Sequence, residues 1–263
     1  MKRITINKIL KQKGKSPITC LTAYSRATAE VLDNYCDIIL VGDSVGMTLY
    51  GMKSTRQVTI DTMIMHGKAV ADFAKKSLVV VDMPYKTYQN KFYAYKNAKK
   101  IIKKTNCDAV KLEGGKEISH IVEYLTKKGI KVLGHVGLLP QYSKNFKLKG
   151  KNFKQKKRIL NDAQSISNSG AFAIVIECVV ENLAKEITKT IRIPTIGIGA
   201  SKHCDGQILV IDDLIGLSNF ESKKPKFVKL YSKVRKIMEK SVRKYCFDVR
   251  NRRFPSSQNV YKL

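Results

Sequence analysis

Five short apolar runs in this 263-residue chain each finish in ionisable side chains. Asp43 ends Ile38-Ile39-Leu40-Val41-Gly42, and Asp82 ends Val79-Val80-Val81. Lys111 and Glu113 close Ala109-Val110-Lys111-Leu112-Glu113. His135 follows Val132-Leu133-Gly134, and Glu177 follows Ile174-Val175-Ile176. A single acid in such a place is unremarkable, since it caps a helix or opens a turn. That reading suits Asp205 before Gly206 and is open for Asp43. Five together point to a working site, because buried charges must be paired or metal-bound to offset their desolvation. Asp43, Asp82 and Glu113 offer hard oxygen ligands for magnesium or a related divalent ion. Such an ion would ease proton loss beside the carbonyl of a 2-oxo acid by stabilising the enolate oxygen. Glu177, on a separate strand among apolar residues, is the candidate base, with burial raising its pKa. Lys111 would neutralise a substrate carboxylate or the developing enolate.

These residues need a scaffold that brings five strand ends together. The runs at 17–24, 38–43, 78–84, 109–114, 131–137, 171–178, 194–199 and 207–211 are apolar on successive residues, as parallel strands covered on both faces require. Amphipathic helices are expected at 26–34, 59–75, 92–104, 116–128, 155–169 and 181–190, with a short helical turn at 212–217. Strand–helix alternation makes the fold α/β, and eight strands favour a closed (β/α)8 TIM barrel over an open doubly wound sheet. Side chains alternate along a strand, so each polar residue shares a face with the residue two before it. If Val41, Val80, Ala109, Leu133 and Val175 fill the interior, the polar set points to the C-terminal mouth. From about Lys223 the chain becomes strongly basic, with Phe227, Leu230, Tyr231, Val234, Ile237, Met238, Val242 and Tyr245 in one helical stripe. A final helix packing on the core or on a neighbouring subunit is the expectation, followed by a loosely ordered tail from Arg250. No repeat or linker divides the chain, so a single domain over 1–263 is the simplest reading.

Composition excludes little but constrains much. A hydrophobic fraction of 43% suits a folded protein. No apolar run is long enough to span a bilayer, and the N-terminus lacks a secretory signal, so a cytoplasmic location without membrane association is expected. The six cysteines are scattered singly and read as buried reduced thiols. The net charge of +29 comes from lysine-rich patches such as Lys99-Lys100, Lys103-Lys104 and 154–158. They lie beside apolar residues at helical spacing, as solvated helix faces do, and no aromatic platform for nucleic acid is interleaved. Gly197-Ile198-Gly199-Ala200 has Lys202 where a dinucleotide fingerprint needs its third glycine, and reads as a tight turn or close packing. The segment holding Met47 and Tyr50, flanked by Gly42, Gly46 and Gly51, is a flap or a connection, and His66 is structural.

Six motifs follow one another along the chain. They are Leu40-Val41-Gly42-Asp43-Ser44-Val45-Gly46-Met47, Val110-Lys111-Leu112-Glu113-Gly114-Gly115 and Gly134-His135-Val136-Gly137-Leu138. Ile176-Glu177-Cys178-Val179, Gly197-Ile198-Gly199-Ala200 and Asp205-Gly206-Gln207-Ile208-Leu209-Val210 follow. In that order they resemble the ketopantoate hydroxymethyltransferase family, and the resemblance implies a barrel of the phosphoenolpyruvate/pyruvate superfamily type, assembled as a homodecamer. It also implies transfer of a one-carbon unit from 5,10-methylenetetrahydrofolate to 3-methyl-2-oxobutanoate, giving 2-dehydropantoate for pantothenate biosynthesis. By position, it makes Asp43 and Asp82 direct magnesium ligands and Glu113 a metal-associated carboxylate. Asp43, Ser44, Asp82 and Lys111 become substrate contacts, Glu177 the proton acceptor, and His135 a residue of the site mouth. The departures are Ser25 for an acid after Thr22-Ala23-Tyr24, a shortened loop after Pro140-Gln141, Val180 for proline, and Ser201 for glycine.

Two other readings remain at this point. One is a different metal-dependent 2-oxo acid lyase or mutase of the superfamily, though the Lys-x-Cys-Gly-His loop of isocitrate lyases is absent. The other is a basic nucleic-acid-binding protein on a retired barrel, which the intact polar set opposes.

Overall fold

The computed structural model describes residues 3–143, 146–218 and 224–261. Its chain divides into two compact units, Met1–Val210 and Ile211–Leu263. Lys223, the expected start of the basic segment, lies outside the described residues, as do Met1, Lys2, Lys144, Asn145, Lys262 and Leu263.

In the first unit eight parallel strands close into a barrel in chain order, as the apolar runs require. They are β1 (Ile18–Thr22), β2 (Ile38–Val41), β3 (Leu78–Asp82), β4 (Ala109–Lys111), β5 (Val132–Gly137), β6 (Ala173–Glu177), β7 (Thr195–Ile198) and β8 (Gly206–Leu209). Closure comes from β1 beside β8, with Cys20 opposite Ile208. Every residue of β2, β3 and β4 is buried, because the barrel interior takes one face and the helices cover the other.

The covering helices are α1 (Ile6–Gln12), α2 (Arg26–Leu32), α3 (Val45–Thr48), α4 (Ile60–Ala71), α5 (Lys91–Thr105), α6 (Ser119–Lys127), α7 (Phe153–Asn168) and α8 (Glu181–Thr190). Thr5, Ser25, Thr59, Asn90 and Asn152 cap five of them by accepting a backbone N–H. Ser25 completes a capping box with Thr28, so the serine keeps an oxygen where an acid was expected. The lysine patches fall on outward faces: α5 buries Ala94, Asn97, Ala98, Ile101 and Thr105 and exposes its lysines.

The interior core joins Ile18, Cys20, Ile38, Leu40, Leu78, Val80, Ala109, Leu133, Ala173, Val175, Ile196 and Ile208. Ile9 of α1 packs into the same cluster. In β2 it is Ile38 and Leu40 that belong to this cluster, whereas Val41 is not among its members. The expected alternation through Val41 to Asp43 therefore fails. The strand stops at Val41, and a turn at Gly42 to Ser44 carries Asp43 instead. The segment after it is an ordered connection, with Met52 N donating to Gly46 O at 2.9 Å. A side chain at Gly46 would collide with Val58 at 2.6 Å, so the glycine permits this packing.

In the second unit, α9 (Ile211–Leu214) and α10 (Val234–Arg250) follow. Tyr231 N donates to Leu214 O at 2.8 Å and Val234 N to Ile215 O at 3.0 Å. The apolar stripe enters helix only from Val234, so Phe227, Leu230 and Tyr231 precede it. None of the residues of α10 is buried; Ile237 remains 62% exposed and Val242 59%. No described helix is long and apolar enough to cross a membrane.

Candidate active site

The polar strand ends converge at the C-terminal mouth of the barrel. Lys111 Nζ donates to Asp82 Oδ1 at 2.6 Å and lies 3.8 Å from Glu113 Oε1. Asp43 N donates to Asp82 Oδ2 at 3.0 Å, which draws the two aspartates together. His135 bridges to the far side: its Nδ1 is 3.6 Å from Glu113 Oε1 and its Nε2 is 3.2 Å from Glu177 Oε2. Neither ring nitrogen has a well-aimed hydrogen bond among the described residues. The imidazole thus lies between two carboxylates without being locked to either. Ser44 joins the rim, its Oγ 2.8 Å from Tyr24 Oη.

Burial sets the electrostatics. Asp43, Asp82, Lys111, Glu113 and His135 are each at most 4% exposed. Glu177 is less enclosed than expected, with 12% of its side-chain surface open. Burial, reinforced by the Asp82 carboxylate, pushes Asp43 up to about 7. Burial also drives Glu113 well above the usual carboxylate range, with Asp43 and Asp82 adding to the shift against the pull of Lys111. Burial works against the charge of Lys111, but Asp82, Glu113 and Asp43 outweigh it and hold the ammonium above the ordinary lysine range. The cluster is short of positive charge, the condition that a divalent cation relieves. Among the described residues no three His, Cys, Asp or Glu side chains form a ready-made metal cage. Magnesium does not need one, since one or two carboxylates with water and substrate oxygens commonly suffice. The neighbouring Asp43 and Asp82 fit that pattern.

Two residues that the sequence did not mark complete the site. Gln141, fully buried, donates from Nε2 to Asp43 Oδ2 at 2.8 Å and to Met83 O at 3.0 Å. Its backbone N–H donates to Glu113 Oε2 at 3.0 Å. Tyr88 Oη donates to Gln141 Oε1 at 2.5 Å, and burial holds the phenol above its usual range. Both lie in loops, where no periodicity marks a buried side chain. The backbone also turns sharply after Glu177, where Cys178 adopts φ +49°. That left-handed conformation is uncommon for a non-glycine residue and is often found at functional sites.

The remaining sequence features resolve into structural roles. Asp205 accepts from Lys13 Nζ, Gly14 N and Thr195 N, tying together the segments that precede β1, β7 and β8. His66 holds Tyr24 O at 2.6 Å and Tyr50 Oη at 2.8 Å. Gly197 packs closely on the Gln207 and Cys204 side chains, and a Cβ there would require the Gln207 amide to move. All six cysteines are free. A cavity of about 630 Å³ beside Lys116 and the first half of α7 includes none of the clustered residues.

Fold and site define a closed β/α-barrel with a buried ionisable cluster at one mouth. The barrel resembles a phosphonopyruvate hydrolase solved with oxalate and Mg++ at TM-score 0.63 and 11% identity, covering 97% of this chain and 93% of that one. It also resembles 2,3-dimethylmalate lyase, itself a PEP mutase/isocitrate lyase superfamily member, at TM-score 0.63 and 12% identity over 94% and 86% of the two chains. Sequence narrows the class. The family model of ketopantoate hydroxymethyltransferase matches residues 3–257. A 3-methyl-2-oxobutanoate hydroxymethyltransferase from Pelagibacter ubique (strain HTCC1062) is 52% identical over 252 residues, covering 96% of this chain and 97% of the relative. The chain belongs to the ketopantoate hydroxymethyltransferase family, and is a transferase enzyme.

Proposed function

We propose that the protein transfers a hydroxymethyl group from 5,10-methylenetetrahydrofolate to 3-methyl-2-oxobutanoate, giving 2-dehydropantoate for pantothenate biosynthesis. The observation that carries this reading is the gathering of Asp43, Asp82, Lys111, Glu113, His135 and Glu177 at one barrel mouth, in a chain of this family.

Asp43 and Asp82 would hold a divalent ion such as magnesium directly, with Glu113 associated through water. When bound, the ion supplies positive charge against the oxygen that becomes negative as the 2-oxo acid loses its C3 proton. Glu177 takes that proton, its partly open carboxylate facing the mouth while His135 lies 3.2 Å behind it. Lys111 offsets negative charge on the substrate, and Ser44 with the two aspartates orients it. Water releases the methylene carbon from both folate nitrogens at the aldehyde level, leaving tetrahydrofolate; the carbanionic C3 adds to that carbon, and its oxygen takes up a proton, returned by Glu177, to become the product hydroxyl. Gln141 keeps the Asp43 and Glu113 carboxylates aimed throughout. We also assign the protein to the cytoplasm as a homo-oligomer, with the decamer implied by family resemblance. The test is product formation: 2-dehydropantoate should appear only when keto acid, methylenetetrahydrofolate and divalent metal are all supplied. Turnover of another 2-oxo acid by cleavage or rearrangement, with none of this product, would refute the reading.

A further inference from the structure

A cavity of about 240 Å³ opens between the stretch from Met47 to Arg56 and the loop after β5, where Pro140 of its wall precedes Gln141. Lys53 and Arg56 bring positive charge to it, Thr55 and Ser143 bring hydroxyls, and Met47 and Phe146 form apolar walls. No acidic side chain lines it among the described residues. Thr55 is only 3% exposed, yet its hydroxyl has no hydrogen-bond partner among the described residues. A buried hydroxyl left unpaired is costly unless something satisfies it. The cavity is also wired to the site. Arg56 Nε donates to Gln141 O at 2.8 Å, and the same Gln141 donates to Asp43 Oδ2. The guanidinium is further held 5.4 Å from the centre of the Tyr85 ring.

We propose that this cavity is the subsite for the acidic end of the one-carbon donor, gripping its glutamyl carboxylates while the carbon-bearing end reaches the carboxylate cluster. The assignment rests on the proposed folate-dependent reaction and adds to it the residues that receive the donor. Three features converge on this ligand class. The cavity is smaller than the roughly 300–1,000 Å³ of pockets that enclose a whole ligand, so it takes one end of a longer molecule. Its cations and hydroxyls match carboxylate oxygens, with Arg56 able to pair in a fork and Lys53 acting as a point charge. Its apolar walls suit the aromatic amide that adjoins a folate's glutamate. A donor with carboxylates at one end and a methylene carbon at the other has a group for each place.

The test titrates p-aminobenzoyl-triglutamate into the full-length protein and into Lys53→Glu, a change at an exposed residue outside the cluster. Thr55→Val is the second variant, removing only the unpaired hydroxyl. Wild type should bind the triglutamate, and the charge reversal should weaken it by about tenfold, or about 1.4 kcal/mol, with its unfolding temperature kept. Thr55→Val should weaken binding by a smaller factor. With methylenetetrahydrofolate as substrate, Lys53→Glu should raise the donor KM while kcat and the keto acid KM stay at wild-type values. Binding equal in wild type and Lys53→Glu, or no binding to wild type, overturns the assignment. So does inorganic phosphate competing as strongly as the triglutamate, which would make the cavity a general anion site. Donor-independent proton exchange on the keto acid reports on the proposed reaction separately. Exchange and transfer that persist with an unchanged donor KM in Lys53→Glu would sink the subsite and spare the reaction. Triglutamate binding that depends on Lys53, in a protein that makes no 2-dehydropantoate, would do the reverse.

Discussion

Asp43 carries the clearest consequence at the scale of single residues. In the unfolded chain it ionises in the ordinary carboxylate range near 4, whereas in the fold it keeps its proton until about 7. A carboxyl whose pKa is raised by folding weakens the fold as pH climbs through that interval. Metal-free protein should therefore lose thermal stability between pH 4 and pH 7, and Asp43→Asn should lose less over the same range. Metal must displace the proton, so magnesium affinity should rise by about tenfold per pH unit below 7 and level off above it. Calorimetry across pH checks both; a flat affinity profile would mean that Asp43 does not ligate. Gln141→Ala should lower activity or metal affinity by about 10–100-fold, the usual effect of removing a group that aims metal ligands. A kcat and magnesium Kd at wild-type values would refute that role. Most of these residues were legible because polar side chains interrupt apolar runs. Gln141 and Tyr88 were not, because loop residues carry no periodic signature and their burial depends on partners far along the chain.

At the scale of elements, all eight strands could be read from their β-branched runs, though several ended early. The run through Asp43 looked like one strand because Gly42 does not disturb its hydropathy. Only the turn that begins there shows that alternation could not place the carboxylate. The helix α1 went unread because Ile9 is its one buried residue, which leaves no apolar stripe to mark it. Two acids hold element ends together without touching the site. Asp33, at the end of α2, accepts the backbone N–H groups of Lys75, Lys76 and Ser77 just before β3. Burial opposes its charge, but those donors prevail and keep it below the usual carboxylate range. Its contribution is thus present above about pH 4 and is lost as pH falls further into acid. Asp33→Ala should cost about 2–4 kcal/mol at neutral pH by leaving several donors unmet, with kcat retained. Chemical denaturation measures the loss, and a cost below about 0.5 kcal/mol would show that water replaces the carboxylate without penalty.

For the whole molecule, composition set the class and little more. The +29 charge resolves in part into solvated lysine on outer helix faces, as α5 illustrates, and gives no hint of the barrel mouth. The amphipathic pattern of α10 was visible, but a stripe shows only that something should cover it. Ile237, Met238, Val242 and Tyr245 are exposed in the single chain, consistent with the homo-oligomer proposed above. Replacing Ile237 and Val242 with Glu should lower the mass seen by sedimentation while leaving the circular dichroism spectrum intact. An unchanged mass would exclude α10 from assembly.

Removal of the C3 proton of a 2-oxo acid, with Glu177 as the acceptor, is the role proposed for the clustered side chains. It is tested most directly by following exchange of that proton in deuterated water, with 3-methyl-2-oxobutanoate and magnesium but no folate, for wild type and Glu177→Gln. Exchange should require magnesium and slow by about 10²–10⁴-fold in the variant, the range expected on losing a general base. Equal exchange in the two folded, metal-loaded proteins would contradict that role.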